Sequence, residues 1–277
     1  MDITALGSFS VTENGVDITP RASKPRTLLA LLSSNDGLVM PIHDIIDELW
    51  EEDPPRSAMN TTQTYVMQLR QLIEHATRRP QGHQPRLDPK QILKREPIGY
   101  WLDCADGASD ISEYERFKAA GYRALAAGDL ERAREQLAHA EGIWCGRRAF
   151  EGVRTGPRLR SYAVSLRESY KIILEHRIEI DLQLGRHHLA LAELAGLVVE
   201  YPANERLRAD YVIALYRSGQ RTRALAECDQ LRSHLIAEFG LEPSATINSL
   251  RQAILLEDEQ IRTPDRRFSI HDYISSS

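Results

Sequence analysis

Asn60, Gln63, Thr64, Met67, Gln71 and Glu74 fall on one side of a stretch whose other side is apolar, with Thr61, Gln68 and Arg70 on the flanks. Amides and hydroxyls in that pattern form hydrogen bonds without carrying charge. Asn and Gln pair with adenine N6/N7, Thr with several base edges, and a Met side chain meets a thymine methyl. Ala58, Thr62, Tyr65, Val66, Leu69, Leu72 and Ile73 cluster within about 120° at 100° per residue, which predicts a helix from Ser57, its N-cap, to about His75. The same face would serve a polar surface helix or a protein interface equally well. Residues 54–95 add eight bases against two acids, net +6. Such a block can mark a nucleic-acid footprint because phosphate attraction is short-ranged and screened. On charge alone, a solvated helix face with a basic loop is the simpler account.

Several elements must hold that helix in place. Ile3, Ala5 and Phe9–Val11 alternate like strands and lead to Asn14-Gly15, a type I′ hairpin signal before Val16-Asp17-Ile18. Ser23 and Pro25 read as the N-cap and first-turn proline of a helix carrying Leu28, Leu29, Leu31 and Leu32. After the short piece Leu38–Met40, residues Ile42, Ile45, Ile46, Leu49 and Trp50 define an amphipathic scaffold helix. Its other face, Asp44, Asp47, Glu48 and Glu51, is too acidic to touch phosphate. Beyond a polar loop, Arg78 to Lys90, two short strands around Pro97–Gly99 form a wing with Lys94 and Arg95 at its tip. Trp50 and Trp101 are expected to fill the core.

From Ile111 the strand signals stop. Three segments align without gaps, Leu125–Ala133, Leu182–Ala190 and Tyr216–Ala224, each with a glycine (Gly128, Gly185, Gly219) followed five residues later by an alanine. Glycine turns tightly between antiparallel helices, and alanine lets them approach. Gly185 to Gly219 spans 34 residues, the tetratricopeptide period; Gly128 to Gly185 spans 57, which predicts a connector of about one helix near Gly146–Pro157. Helical repeats of this kind bind proteins.

The whole chain of 277 residues carries a net charge of −5, and that sum alone hints at no nucleic-acid partner. The longest apolar cluster, Leu28–Leu32, is far short of a membrane span, and Met1-Asp2-Ile3 does not open a secretion signal. Cys104, Cys145 and Cys228 are too scattered for a metal knuckle or disulfide framework, so a reducing cytoplasm is expected. His187-His188 cannot present one face to a metal, and neither a Gly-Lys-Ser/Thr phosphate loop nor a nucleophile elbow appears. The expectation is a protein that is not an enzyme and uses neither cofactor nor metal.

Pro25–Leu32, Ile45–Trp50, Pro54–Ser57, Tyr65–Arg70 and Pro97–Tyr100 resemble the winged helix-turn-helix of OmpR-type response regulators, and more closely that of SARP-type activators, the streptomycete antibiotic regulatory protein family. Leu184–Arg186, Tyr216–Gln220 and Glu238–Ser244 resemble the bacterial transcriptional activation domain of the same family. The fold expected is mainly α with a small β component. A winged helix-turn-helix over 1–105 precedes a tetratricopeptide-like α-helical repeat domain over 110–260, with a disordered tail over 261–277. The receiver half of response regulators does not appear in this sequence.

The resemblance implies a cytoplasmic bacterial activator, nucleoid-associated when bound. It would bind direct repeats near the −35 element of double-stranded promoter DNA as a side-by-side, head-to-tail dimer. There it would recruit RNA polymerase, through sigma factor and alpha subunit, to secondary-metabolite genes. The helix from Ser57 would enter the major groove, with Asn60, Gln63, Thr64, Met67 and Gln68 reading bases. Lys24, Arg26, Arg56, Arg70 and Lys94 would anchor phosphates, and Arg95 on the wing would reach the minor groove. The alternative is a tetratricopeptide-type adaptor whose winged helix is itself a protein-binding surface. The basic block and Arg95 weigh against it.

Overall fold

The computed structural model describes residues 1–35, 37–77, 88–104, 107–258 and 261. Most of the loop expected over Arg78 to Lys90, and the tail expected over 261–277 apart from Ile261, lie outside the described residues. The chain forms two compact units. One comprises Met1–Phe117 with His139–Tyr170, the other Lys118–Ala138 with Lys171–Ser277. The fold is mainly helical, with two small antiparallel sheets.

In the first unit, β1 (Asp2–Thr4), β2 (Ser10–Glu13) and β3 (Val16–Asp17) form a meander. Asn14 and Gly15 turn between β2 and β3 with φ of 50° and 73°, as the Asn-Gly hairpin requires. Next come α1 (Ser23–Ser33), β4 (Met40–Pro41), α2 (Ile42–Trp50) and α3 (Ala58–Thr77), and the three helices pack on one another. Ser23 is the first helical residue rather than the cap. Ala22 occupies the cap position without a side-chain bond. Pro41 stands before α2, also without a cap bond. A short turn of helix, α4 (Pro89–Ile92), leads into β5 (Leu93–Glu96) and β6 (Gly99–Leu102), and β6 lies between β4 and β5. Gly99 is obligatory there, because a Cβ on it would sit 1.8 Å from the Met40 carbonyl oxygen.

Helices α5 (Asp110–Ala126), α6 (Leu130–Gly142) and α7 (Pro157–Gln183) each contribute residues to both units. The connector expected to be a helix is not one. Residues 143–156 form turns that bond to the start of the chain: Cys145 N–H donates to the Leu6 carbonyl, Phe150 N–H to Ala5, Glu151 N–H to Gly7, and Phe9 N–H to Glu151. The extra length goes into this non-local ladder and into a 27-residue α7.

The second unit continues with α8 (His187–Glu200), α9 (Glu205–Arg217), α10 (Arg221–Phe239) and α11 (Ala245–Leu255). The three glycine turns are copies of one another. Gly128, Gly185 and Gly219 each have φ of 75°. Each N–H reaches the carbonyl three residues back, and the N–H of the following residue (Asp129, Arg186 or Gln220) reaches the carbonyl five back. That pair of bonds is the Schellman cap, which needs a left-handed residue at its centre. The paired alanines, Ala133, Ala190 and Ala224, are at most 1% exposed. Helix α9 packs against both α8 and α10, and every residue from Leu207 to Leu215 is buried, Arg208 and Asp210 among them.

Candidate nucleic-acid interface

Helix α3 presents its two faces much as the period predicts. Ala58, Thr62, Val66, Leu69, Ile73 and Ala76 are buried, and the Thr62 hydroxyl donates to the Ala58 carbonyl at 2.9 Å, so no polar group is stranded inside. Tyr65 and Leu72 are only half-buried. On the other side Asn60, Thr64, Met67 and Gln68 are exposed, and Gln63 is half-buried beside them. The Thr64 hydroxyl donates back to the Asn60 carbonyl at 3.0 Å, which leaves its oxygen lone pairs facing outward. Met59, 53% exposed at the N-terminal edge of this face, was missed by the sequence reading, although it sits one turn before Gln63.

The basic residues divide into two groups. Arg56, just before α3, and Arg95 on β5 are exposed, and no hydrogen bond or ion pair engages their guanidinium groups among the described residues. The other four are used inside the fold. Arg26 donates to the carbonyls of Pro20 at 2.8 Å, Gly152 at 2.9 Å and Arg21 at 3.4 Å. Arg70 grips the Leu93 carbonyl through Nε at 3.1 Å and Nη2 at 2.7 Å, fastening α3 to the first strand of the wing. Lys24 donates to the Leu49 carbonyl at 2.6 Å, and burial, then the charge of Arg154, pushes its ammonium below the usual lysine range. Lys94 pairs with Asp103 at 3.1 Å.

The tryptophans and the wing tip differ from expectation. Trp50 and Trp101 are half-buried rather than core residues, and each carries a cation on its ring, Lys24 at 4.7 Å and Lys94 at 4.1 Å. Trp50 also stacks on Tyr65 with ring centres 6.3 Å apart. The tip of the hairpin is Pro97-Ile98, with Ile98 62% exposed, whereas Lys94 and Arg95 lie back on β5 opposite Trp101 and Tyr100. Arg154, exposed in the connector and near enough to Lys24 to act on it, gave no signal in the sequence because it is remote from the basic block.

A helix with an uncharged hydrogen-bonding face, packed on two others and followed by a two-stranded wing, defines the winged-helix class of transcription regulators. Residues 14–100 match the family described as "Transcriptional regulatory protein, C terminal", and residues 109–255 match "Bacterial transcriptional activator domain". The regulatory protein DnrI of Streptomyces peucetius is 38% identical over 94% of each chain. AfsR of Streptomyces coelicolor is 34% identical over 91% of this chain, which spans only 24% of that longer protein. The solved structure of Mycobacterium tuberculosis EmbR in complex with a low-affinity phosphopeptide superposes with a TM-score of 0.84 at 28% identity, covering 99% of this chain and 69% of that one. The chain belongs to the SARP-type family of transcription regulators.

Proposed function

We propose that the protein is a sequence-specific DNA-binding activator, not an enzyme, that acts in the bacterial cytoplasm on secondary-metabolite promoters. One observation carries the reading: the exposed side of α3 aligns Asn60, Gln63, Thr64, Met67 and Gln68, and the nearby Arg56 and Arg95 are exposed, with no ion pair among the described residues. In this reading α3 enters the major groove, the five side chains read base edges, and Arg95 reaches into the adjacent minor groove. Direct phosphate anchoring falls first to Arg56, with Lys24 and Lys94 as partly engaged cations beside it. Arg26 and Arg70 act mainly by holding the elements that present the face.

The protein binds direct repeats near the −35 element as a head-to-tail pair, and its helical repeats engage RNA polymerase through sigma factor and alpha subunit. Support comes from the family membership and from relatives named as regulatory proteins. A gel-shift titration on promoter fragments at about 100 mM salt tests the DNA step. A shift abolished by scrambling the repeats is expected, and equal binding to scrambled DNA overturns the reading. In vitro transcription with purified polymerase tests the activation step.

A further inference from the structure

The tip of the wing is apolar. Pairing of Glu96 with Gly99 closes the hairpin over two residues, Pro97 and Ile98, both exposed, with Ile98 at 62%. Turns in water favour Gly, Asn, Asp and Ser, whose small or polar side chains suit the bend and the solvent. Two-residue hairpins also prefer primed turns, which the Pro97 ring excludes because it cannot take a positive φ. The tip thus forgoes the best turn and leaves a branched hydrocarbon standing in water.

The tip is also held rigid. The Pro97 ring fixes one backbone angle. The Ile98 carbonyl accepts from the Ile42 N–H at 2.9 Å, which ties the tip to the start of α2. Pro41 pairs with Gly99, so β4 supports the hairpin to the edge of its turn. A β-branched side chain has few rotamers to lose. Ile98 is therefore presented in a fixed direction at small entropic cost. Its surroundings suit a polyanion. Arg95 is exposed three residues away, and Glu96 is half-buried on the opposite face of the strand from Arg95. Of the exposed residues beside Ile98 in the chain and across the Ile42 bond, Arg95, Pro97 and His43, none is acidic.

We infer that Ile98 is a wedge, which the wing inserts from the minor groove between two base pairs of the bound duplex, partly unstacking that step and kinking the DNA. The inference rests on the DNA-binding reading proposed above and adds to it a deformation of the duplex. Apolar side chains, isoleucine and proline among them, kink duplexes in this way by about 20–90°. Pyrimidine–purine steps unstack most cheaply. The wedge therefore selects TA or CA/TG at one position where the protein makes no hydrogen bond to a base.

The probe is a duplex that the full wild-type chain selects from a random library, with 2-aminopurine replacing adenine at successive positions, one per duplex. Its fluorescence rises where stacking is lost. Saturating wild-type chain should raise the signal at one step per bound protomer and shorten the end-to-end distance read by energy transfer. Ile98→Ala and Ile98→Ser should abolish both changes at saturation, whereas Ile98→Leu should retain them. These variants should match the wild type in circular dichroism and melting temperature, because the side chain is exposed. Arg95→Ala should need more protein to reach the wild-type signal. Replacing the unstacked step by AA should weaken wild-type binding at least about fivefold, the lower end of the cost of one base-pair change, and should leave Ile98→Ala binding unchanged. A wild-type chain that binds its selected duplex without unstacking any step overturns the wedge and leaves the DNA reading standing. So does an Ile98→Ala complex with the full wild-type signal. A wild-type chain that enriches no sequence from the library overturns both.

Discussion

Glu48 accepts a hydrogen bond from the Gly156 backbone N–H at 2.6 Å, so the scaffold helix of the winged fold caps the long helix α7. The same carboxylate accepts from Arg158 N–H at 2.8 Å and, more distantly, from Leu159 N–H at 3.4 Å. Its neighbours on the acidic face are engaged by the same segment: Asp44 pairs with Arg158 at 2.6 Å and Glu51 with Arg160 at 3.0 Å. The acidic face of α2 is thus a receptor for a helix N-terminus, where orphan N–H donors and the positive dipole end favour a carboxylate. Glu48→Ala strands buried donors and should cost about 1–3 kcal/mol in urea unfolding, with faster amide exchange at residues 156–159. Exchange there at the wild-type rate would refute the cap.

Readers and anchors should separate by sequence dependence. Gln63→Ala is expected to cost about 1–3 kcal/mol at one base position and little elsewhere. Arg95→Ala should weaken all sequences alike. With about four phosphates neutralised, log K falls with log salt at a slope near −4, and this variant should flatten it by about one. Uniform loss for both variants would remove the distinction.

Arg70 offers the converse test, because its guanidinium is committed to the Leu93 carbonyl. Arg70→Ala should lower the stability of the winged unit by about 1–3 kcal/mol, the scale of a hydrogen bond to a charged group. The salt slope of DNA binding should stay where it was. A flattened slope with unchanged stability would return Arg70 to the phosphate contacts.

The sequence made the local rules legible and left the long-range pairings hidden. The Asn14-Gly15 hairpin, the spans of α2 and α3, and the glycine turns at 128, 185 and 219 depend on residues within a few positions of one another. The hairpin and the glycine turns stand as read, whereas on α2 Glu48 is buried and Ile42, Ile46 and Trp50 are only half-buried. The connector 143–156 has no period of its own, because its N–H groups answer carbonyls at Ala5, Leu6 and Gly7, more than 100 positions away. The cations misled for a related reason. Composition gives the charge of Arg26 and Arg70, but not that backbone carbonyls of a folded chain already satisfy them. Nor did spacing distinguish a strand from a tip for Lys94 and Arg95, since the turn needed Pro97 and Ile98.

The glycine turns predict opposite effects for the same substitution at two kinds of site. At Gly219, with φ of 75°, a Cβ meets nothing within 4 Å, so any cost of Gly219→Ala is backbone strain alone. About 1–2 kcal/mol is expected from the left-handed conformation. Gly142, at the end of α6, is equally open but lacks a positive φ. Gly142→Ala should therefore stabilise by about 0.4–1 kcal/mol through the unfolded chain. Thermal melts of the two variants that move in the same direction would contradict the cap geometry.

Asp210 predicts an unusual pH dependence for the repeat unit. It sits in the fully buried stretch of α9, and among the described residues its Oδ2 has no hydrogen-bond partner. Burial, and secondarily the negative charge of Glu179, pushes its carboxyl well above the usual aspartate range, with Glu175 adding to the rise and Arg206 and Arg217 opposing it. The folded chain therefore holds this proton where the unfolded chain has released it. Stability is fully present below the unfolded value of about 3.9 and declines as pH rises through the raised folded value. An amide keeps the shape and cannot ionise, so Asp210→Asn should remove the dependence. Urea unfolding at pH 5 and pH 7.5 should show a smaller difference in the variant than in the wild type, with the variant the more stable of the two at the higher pH. A wild-type chain that gains stability over that interval by the same amount as Asp210→Asn would show that this proton is not retained on folding.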